Sequence, residues 1–447
     1  MVNKYFQLKE RRTSVEIEFI AGLTTFLTMA YVIFVHPNIL SPTGMDKDAL
    51  IVVTCIISAV ATIATGIFGR APIAMAPGMG LNTYFAVSLV QGGQVSWQTG
   101  LGVVFLSGLF FLILTLVGLR KKLVEAIPAG LISAISVGIG LFIAFIGLGN
   151  LGLILRDEQT LFKLGSLTPT VWIGLSGLAV MIVLGLIKVT GSLLIGIAFA
   201  SILAAVCGFI DKPAEFVSLN WKLDQIAFKL DIAGALKWSL FGSIFSLMFI
   251  DMFDSIGTLV ACCDKANMRD ENNQIKGLDR LLGIDAVATM AGALMGTSTT
   301  TSYIESAAGI EEGGRTGLTS VFTGIMFLLA LFFVPIIAIV PSYATAPAQI
   351  VVGLFMIKEF KKLSFSKLDE FIPALIIIIV IAVSYRISTG LALGFVSFTL
   401  IKVVSGKVGQ VKPAMWVIAI LSVVFVALDR LGGLVEFLQG LIRPTAS

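Results

Sequence analysis

The chain has 447 residues, of which 57% are hydrophobic and 13% charged, with a formal net charge of +4 and a mean hydropathy of +0.99. Such a composition excludes a soluble globular protein, and apolar blocks from end to end leave no room for a sizeable soluble domain. The basic residues fall in loops rather than on one patch, so nucleic acid is not an expected partner. The lipid bilayer is.

The N-terminus is polar, with Lys4, Lys9, Arg11 and Arg12, and no cleavable signal peptide is expected. A membrane span needs ~20 mostly apolar residues. Long apolar runs lie at 17–36, 49–69, 99–119, 128–149, 169–187, 191–210, 237–262, 279–296, 316–340, 344–358, 371–385 and 387–404. Two shorter segments, 71–90 and 297–312, are interrupted by Gly, Pro or β-branched polar residues. Together these predict fourteen spans, numbered here as segments 1 to 14. A further stretch, 413–428, reads either as an extra span or as an interfacial helix.

Charge sets the orientation. With the N-terminus inside, the cytoplasmic connections carry Arg70; Arg120, Lys121 and Lys122; Lys188; Lys265, Arg269, Lys276 and Arg280; Arg315; and Lys358, Lys361, Lys362 and Lys367. The longest outer loop, 211–236, balances its lysines with Asp211, Glu215, Asp224 and Asp231. This positive-inside pattern predicts both termini in the cytoplasm.

The chain also repeats. Residues 99–117 and 316–334 share nine identities in nineteen positions, and Gly140-Leu-Phe-Ile echoes Gly353-Leu-Phe-Met. Segment 4 thus pairs with segment 11, giving seven spans per half. An odd number inverts the second half relative to the first, as in many secondary transporters. The expected fold is all-α and polytopic, with residues 1–210 and 235–404 as the two repeats and 405–447 as a C-terminal segment.

The two interrupted segments occupy equivalent places, third in each half. Segment 3 reads Arg70-Ala-Pro-Ile-Ala-Met-Ala-Pro-Gly-Met-Gly-Leu-Asn-Thr-Tyr84, and segment 10 contains Gly296-Thr-Ser-Thr-Thr-Thr-Ser-Tyr-Ile-Glu305. Pro72 and Pro77 remove backbone donors, and the β-branched run favours extended backbone. Irregular backbone at membrane depth is tolerated only where it is buried or lines a cavity. These breaks are therefore the expected substrate site.

Three carboxylates fall in the same segments: Asp251 and Asp254 inside segment 8, and Glu305 just past the second break. A carboxylate at this depth costs ~3 kcal/mol on insertion scales, so it normally faces a cavity and a partner. Asp251 and Asp254 are three apart, on one helix face. Asn82 follows the first break, Thr300 and Thr301 lie within the second, and segment 1 offers Thr24, Thr25, Thr28 and Tyr31. Amides, carboxylates, hydroxyls and an aromatic suit a flat, neutral heterocycle better than an inorganic anion. Neither Cys55, Cys207, Cys262 and Cys263, expected as buried thiols, nor His36, expected at the interface, suggests a metal site.

The strings Phe-Ile-Ala-Gly-Leu-Thr-Thr-Phe-Leu-Thr-Met-Ala-Tyr (19–31), Ala-Pro-Gly-Met-Gly-Leu-Asn-Thr-Tyr-Phe (76–85), Phe-Ile-Asp-Met-Phe-Asp-Ser-Ile-Gly-Thr-Leu (249–259) and Gly-Thr-Ser-Thr-Thr-Thr-Ser-Tyr-Ile-Glu-Ser-Ala-Ala-Gly (296–309) closely resemble the AzgA-like purine permeases. These belong to the nucleobase–cation symporter-2, or nucleobase/ascorbate transporter, superfamily. The resemblance covers nearly the whole chain. It implies a core domain of segments 1–4 and 8–11 and a gate domain of segments 5–7 and 12–14. It also implies proton-coupled uptake of hypoxanthine, guanine or adenine, not enzymatic activity. Related uracil carriers have a His in the segment 8 motif where Thr258 stands here, so proton coupling must rest on carboxylates.

By this match Asn82, Asp251, Asp254 and Glu305 take the family's substrate and coupling positions; with Thr28, Tyr31, Thr300 and Thr301 from the reading of the residues themselves, Glu305, Asp254 and Asn82 are expected to bind the purine. Asp251, Asp254 and Glu305 are the expected coupling groups, with the proton as coupling ion and no other cofactor. Hypoxanthine and guanine are favoured over adenine. A homodimer is one assembly the resemblance allows, and an anion exchanger of the same fold or a channel is the rival reading.

Overall fold

A computed structural model describes residues 2–442 except 94, 119–125, 158–159, 211–214, 218–220, 270–274, 276, 366 and 385, and describes no side chains beyond 427. Of the charges used for orientation, Arg120, Lys121, Lys122, Asp211 and Lys276 lie outside the described residues. The main helices are α1 (Val15–Met29), α2 (Val32–Leu40), α3 (Lys47–Ala64), α4 (Met79–Thr83), α5 (Trp97–Leu116), α6 (Ala129–Leu151), α7 (Pro169–Leu186) and α8 (Ser192–Val206). After a long connection come α9 (Phe241–Lys265), α10 (Leu278–Met295), α11 (Ser306–Glu311), α12 (Gly317–Ala330), α13 (Ser342–Ile357), α14 (Leu368–Ser384), α15 (Ile387–Val404) and α16 (Pro413–Ile442). Among the described residues, eight helices are long and apolar enough to cross a membrane. The protein is a predominantly helical, multi-pass membrane protein.

Local chemistry sets many of the helix starts. The side chains of Ser14, Asp46, Ser96, Thr168 and Thr316 each accept a hydrogen bond from an amide two or three residues on, using donors that a helix start otherwise leaves orphaned. The residues 413–428 lie in α16, which packs on α15. Phe425 occupies the space where a Cβ on Gly242 would lie.

The two breaks are extended, as expected, and they meet. Strand β1 (Met75–Pro77) pairs antiparallel with a strand at Thr300–Ser302, in the register Met75↔Ser302, Ala76↔Thr301 and Pro77↔Thr300. Amides just outside this register extend the ladder: Gly78 N–H donates to Thr299 O (3.0 Å) and Tyr303 N–H to Ala74 O (2.9 Å). A second hairpin, β2 (Ile154–Asp157) with β3 (Leu161–Leu164), was not read from the sequence; the central strand at Thr300–Ser302 is therefore β4.

Two expectations are corrected. His36 is fully buried in α2 rather than interfacial, and its Nε2 lies 2.7 Å from Thr297 Oγ1. The β4 approach supplies a polar neighbour that the apolar run around His36 hid. Cys207 is exposed, just past the end of α8, while Cys55, Cys262 and Cys263 are buried.

Glycines let the long helices approach. A Cβ on Gly140 of α6 would lie 2.7 Å from Gly353 O of α13, and one on Gly353 would lie 2.5 Å from Gly140 O. The contact of Gly317 with Gly66 is tighter: a Cβ on Gly317 would lie 1.9 Å from Gly66 O. Overpacking of this kind costs about 1–3 kcal/mol or more, because backbone cannot step aside as a side chain can. Gly317→Ala is therefore expected to lower the melting temperature of the purified protein by several degrees. Gly130→Ala, where nothing lies within 4 Å, should leave it unchanged. Equal melting temperatures in a thermal denaturation series would refute this packing.

Candidate functional site

The paired strands form one wall of a cavity of about 120 Å³. Gly78 and Gly80 bring the chain after β1 close to it, and a Cβ on Gly78 would lie 2.8 Å from Thr301 Cγ2. Ile135 and Ile139 of α6, with Val352 and Met356 of α13, form the apolar side opposite. Phe253, Asp254 and Thr258 of α9 and Tyr31 at the head of α2 complete the lining with Thr301, Tyr303 and Glu305. This space is well below the roughly 300 Å³ lower end for drug-sized ligands, which suits a small flat molecule.

The polar groups divide sharply. Asp254 is exposed to the cavity, and Glu305 is half-buried beside it. Tyr31 OH donates to Glu305 Oε1 at 2.8 Å, which fixes one carboxylate oxygen and leaves Oε2 for a ligand. Tyr303 OH donates to Pro77 O at 2.5 Å and so ties the two breaks together across the strand pair. Two carboxylates from different helices thus face one small cavity, with aromatic and aliphatic surface between. Such a site accepts hydrogen bonds from N–H donors of a planar ligand.

Four of the eight residues expected at the site line it: Tyr31, Asp254, Thr301 and Glu305. The other four stand behind the wall. Thr28 Oγ1 lies near the carbonyls of Thr24 (3.0 Å), Thr25 (2.8 Å) and Glu305 (3.5 Å), holding the turn that carries Glu305. Asn82 is fully buried; its Nδ2 donates to Pro77 O (3.3 Å) and its Oδ1 accepts from Ser298 Oγ. Thr300 N–H donates to Thr289 Oγ1 at 3.3 Å. Asp251 points towards α10, where its Oδ2 accepts from the same Thr289 hydroxyl at 3.0 Å. Its Oδ1 is buried without a hydrogen-bond partner among the described residues. One helix face therefore serves two compartments, because residues three apart still differ by about 60° in direction.

Sequence reasoning missed Asp285. This carboxylate of α10 is fully buried; its Oδ2 accepts from Ser255 Oγ (2.6 Å) and its Oδ1 from Ser302 N–H (3.1 Å). Ser255 Oγ in turn lies 2.7 Å from Thr301 Oγ1. A polar chain runs from α10 through α9 to the cavity wall. The signal was present: Asp285 lies inside an apolar run, and Asp285 and Thr289 stand four apart on one helix face. Among the described residues, no group of three or more His, Cys, Asp or Glu could hold a metal ion.

This arrangement separates two kinds of carboxylate by stability. Removing Asp285 leaves a buried amide and a buried hydroxyl unsatisfied, at about 1–3 kcal/mol. Asp285→Ala is expected to lower the unfolding temperature, whereas Asp254→Ala, at a residue open to the cavity, should not. Thermal melts of both purified variants without ligand check this; a larger loss for Asp254→Ala would contradict the geometry.

The comparisons agree with the architecture. The sequence model of the Permease family matches residues 16–433. The adenine permease AdeQ of Escherichia coli is 40% identical, covering 91% of each chain. The guanine/hypoxanthine permease PbuO of Bacillus subtilis is 39% identical, covering 93% of this chain and 98% of its own. The transmembrane domain of a cyanobacterium bicarbonate transporter, BicA, superposes with a TM-score of 0.64 at 16% identity, covering 85% of this chain and 96% of that one. At that identity it speaks for the fold alone. A match over nearly the full length, to relatives that are nucleobase permeases and through the motifs that surround this cavity, identifies the chain as a member of the Permease family and an AzgA-like permease of the nucleobase–cation symporter-2 superfamily.

Proposed function

We propose that the protein takes up purine nucleobases with protons by alternating access, and that hypoxanthine and guanine are its preferred substrates. The observation that carries the reading is the pair Asp254 and Glu305, presented by two different helices to one small cavity. Oxopurines carry several ring N–H groups, and two carboxylates can accept them. Relatives named for adenine and for guanine/hypoxanthine support the substrate class. An anion exchanger is disfavoured, since no Lys or Arg is among the described residues that line this cavity.

In this reading Glu305 is the main ligand, oriented by Tyr31, with Asp254 and Thr301 completing the contacts. Asn82, Thr28 and Thr300 hold the broken segments in register. Asp251 carries the coupling proton, with Asp254 and Glu305 able to share it, and no other cofactor takes part. Protonation neutralises the site, which lowers the cost of moving a loaded, dewatered cavity through its occluded state.

The proposed architecture is fourteen spans in two inverted repeats of seven, with core and gate domains as above, both termini cytoplasmic, and assembly as a homodimer. Packing supports the repeat, because contacts recur with segment numbers shifted by seven. Helix α5 on α10 (segments 4 and 9) corresponds to α12 on α3 (11 and 2). Likewise α14 on α6 (13 and 5) corresponds to α7 on α13 (6 and 12). The β1–β4 pair and the α6–α13 pair map onto themselves.

In an uptake assay, unlabelled hypoxanthine and guanine should compete with labelled hypoxanthine better than adenine does. Uptake should rise as external pH falls and collapse with a protonophore. Competition by adenine alone would overturn the substrate preference, and uptake that follows a sodium gradient at fixed pH would overturn the coupling.

Glu305→Gln removes a charge-assisted hydrogen bond worth about 1.5–3 kcal/mol. Equilibrium binding of hypoxanthine should weaken about ten- to a hundredfold in protein that still reaches the membrane. Asp251→Asn should reduce net uptake more than binding. If both variants bind like the parent and lose uptake only through poor folding or expression, these carboxylates only hold the fold.

A further inference from the structure

A second polar cavity, of about 470 Å³, lies where the N-terminal residues meet the turns after α9 and before α12. Its lining includes Arg11, Arg12 and Arg315 together with Glu10, Glu312 and Asn267. The volume falls within the roughly 300–1,000 Å³ of ligand pockets. The transport reading uses none of these residues.

Among the described residues the guanidinium groups are not consumed by ion pairs. Arg11 Nη1 donates to Asn267 O at 3.3 Å, and Arg315 Nη1 donates to Ile310 O (2.5 Å) and Gly314 O (2.8 Å). These bonds fix the two side chains and leave most of their five N–H donors unused. Arg12 donates no hydrogen bond among the described residues and is exposed.

The walls are held in place. The buried Glu18 carboxylate of α1 accepts from the amides of Arg315 (3.0 Å), Thr316 (3.3 Å) and Thr319 (3.1 Å). That joins the chain before α12 to the helix that follows Arg11 and Arg12. Three helical turns end around the cavity: Arg12 (φ 53°), Asn267 (φ 54°) and Gly313 (φ 105°) take the left-handed backbone that closes each turn, as in the bonds from Asn267 N–H to Asp264 O (3.1 Å) and Met268 N–H to Cys263 O (2.9 Å).

From this geometry we infer that the cavity is a binding site for a nucleoside 5′-monophosphate. Three converging arginines suit a phosphate monoester, because guanidinium forks match its oxygens in pairs. The two glutamates argue against a bare inorganic anion, which they would repel. They instead accept hydrogen bonds from a ribose diol on the same molecule. Among the described residues the lining has no aromatic ring on which a base could stack, so the site discriminates little between purine bases. The inference does not depend on which base the central cavity carries.

The test uses the full-length protein in nanodiscs of zwitterionic lipid, titrated with guanosine 5′-monophosphate, adenosine 5′-monophosphate, inorganic phosphate and guanosine. Both nucleotides should bind saturably and with similar affinity, and phosphate or guanosine alone should bind at least tenfold more weakly. Arg12→Gln should weaken nucleotide binding at least tenfold and leave hypoxanthine binding unchanged, which also reports that the variant is folded. Arg11→Gln should act in the same direction. The inference is overturned if neither nucleotide binds saturably, if phosphate binds as tightly as the nucleotides, or if Arg12→Gln binds nucleotide like the parent. Loss of nucleotide binding when anionic lipid is added to the nanodiscs would assign the pocket to lipid headgroups and overturn it as well.

Discussion

The structure depends on how it satisfies backbone that is not helical within the membrane. Each unpaired N–H or C=O in hydrocarbon costs several kcal/mol. Two interrupted spans can satisfy that backbone in each other if the interruptions pair. That is what β1 and β4 do, three residues against three, with Gly78 and Tyr303 closing the ends. Once this pairing is imposed, much else follows. The strands must be buried, so α3 and α10 pack against them. The chain leaving β4 must turn at once into α11, which brings Glu305 to the cavity. Asp285, Thr289, Asn82 and Ser255 bond to the strands or to one another rather than to a ligand.

This explains why a site rich in carboxylates can also be ordered. Asp285 satisfies an amide and a hydroxyl, Asp251 takes a hydroxyl from Thr289, and Glu305 takes one from Tyr31. Asp254, open to the cavity, and the second carboxylate oxygen of Glu305 are left to face what enters.

Much of the architecture was legible in the sequence because it follows from strong local signals. Apolar length gave the helical, multi-pass character, Pro72, Pro77 and the threonine run gave the two extended breaks, and Gly140 and Gly353 marked segments that the structure presses together. Side-chain direction was not legible. Asp251 and Asp254 look equivalent by spacing, yet one faces α10 and the other the cavity, because neighbours from distant sequence decide. Asn82 follows a break as a ligand would, but Ser298 and Pro77 surround it. His36 looked interfacial because its partner, Thr297, is more than 250 residues away. The hairpin β2–β3 lacked a turn signal strong enough to read. Asp285 carried the same signature as the carboxylates that were singled out.

In the proposed function the bound base sits against the paired strands between Asp254 and Glu305. The most direct test is an experimental structure of the purified protein with hypoxanthine, with density sought throughout the membrane region. Planar density is expected in that cavity, with ring nitrogens within hydrogen-bond distance of the Glu305 and Asp254 carboxylates and one face near Gly78 and Gly80. Density that instead fills the apolar groove beside Ile57, Phe68 and Val287, or that leaves the cavity empty while the protein holds ligand elsewhere, would contradict it.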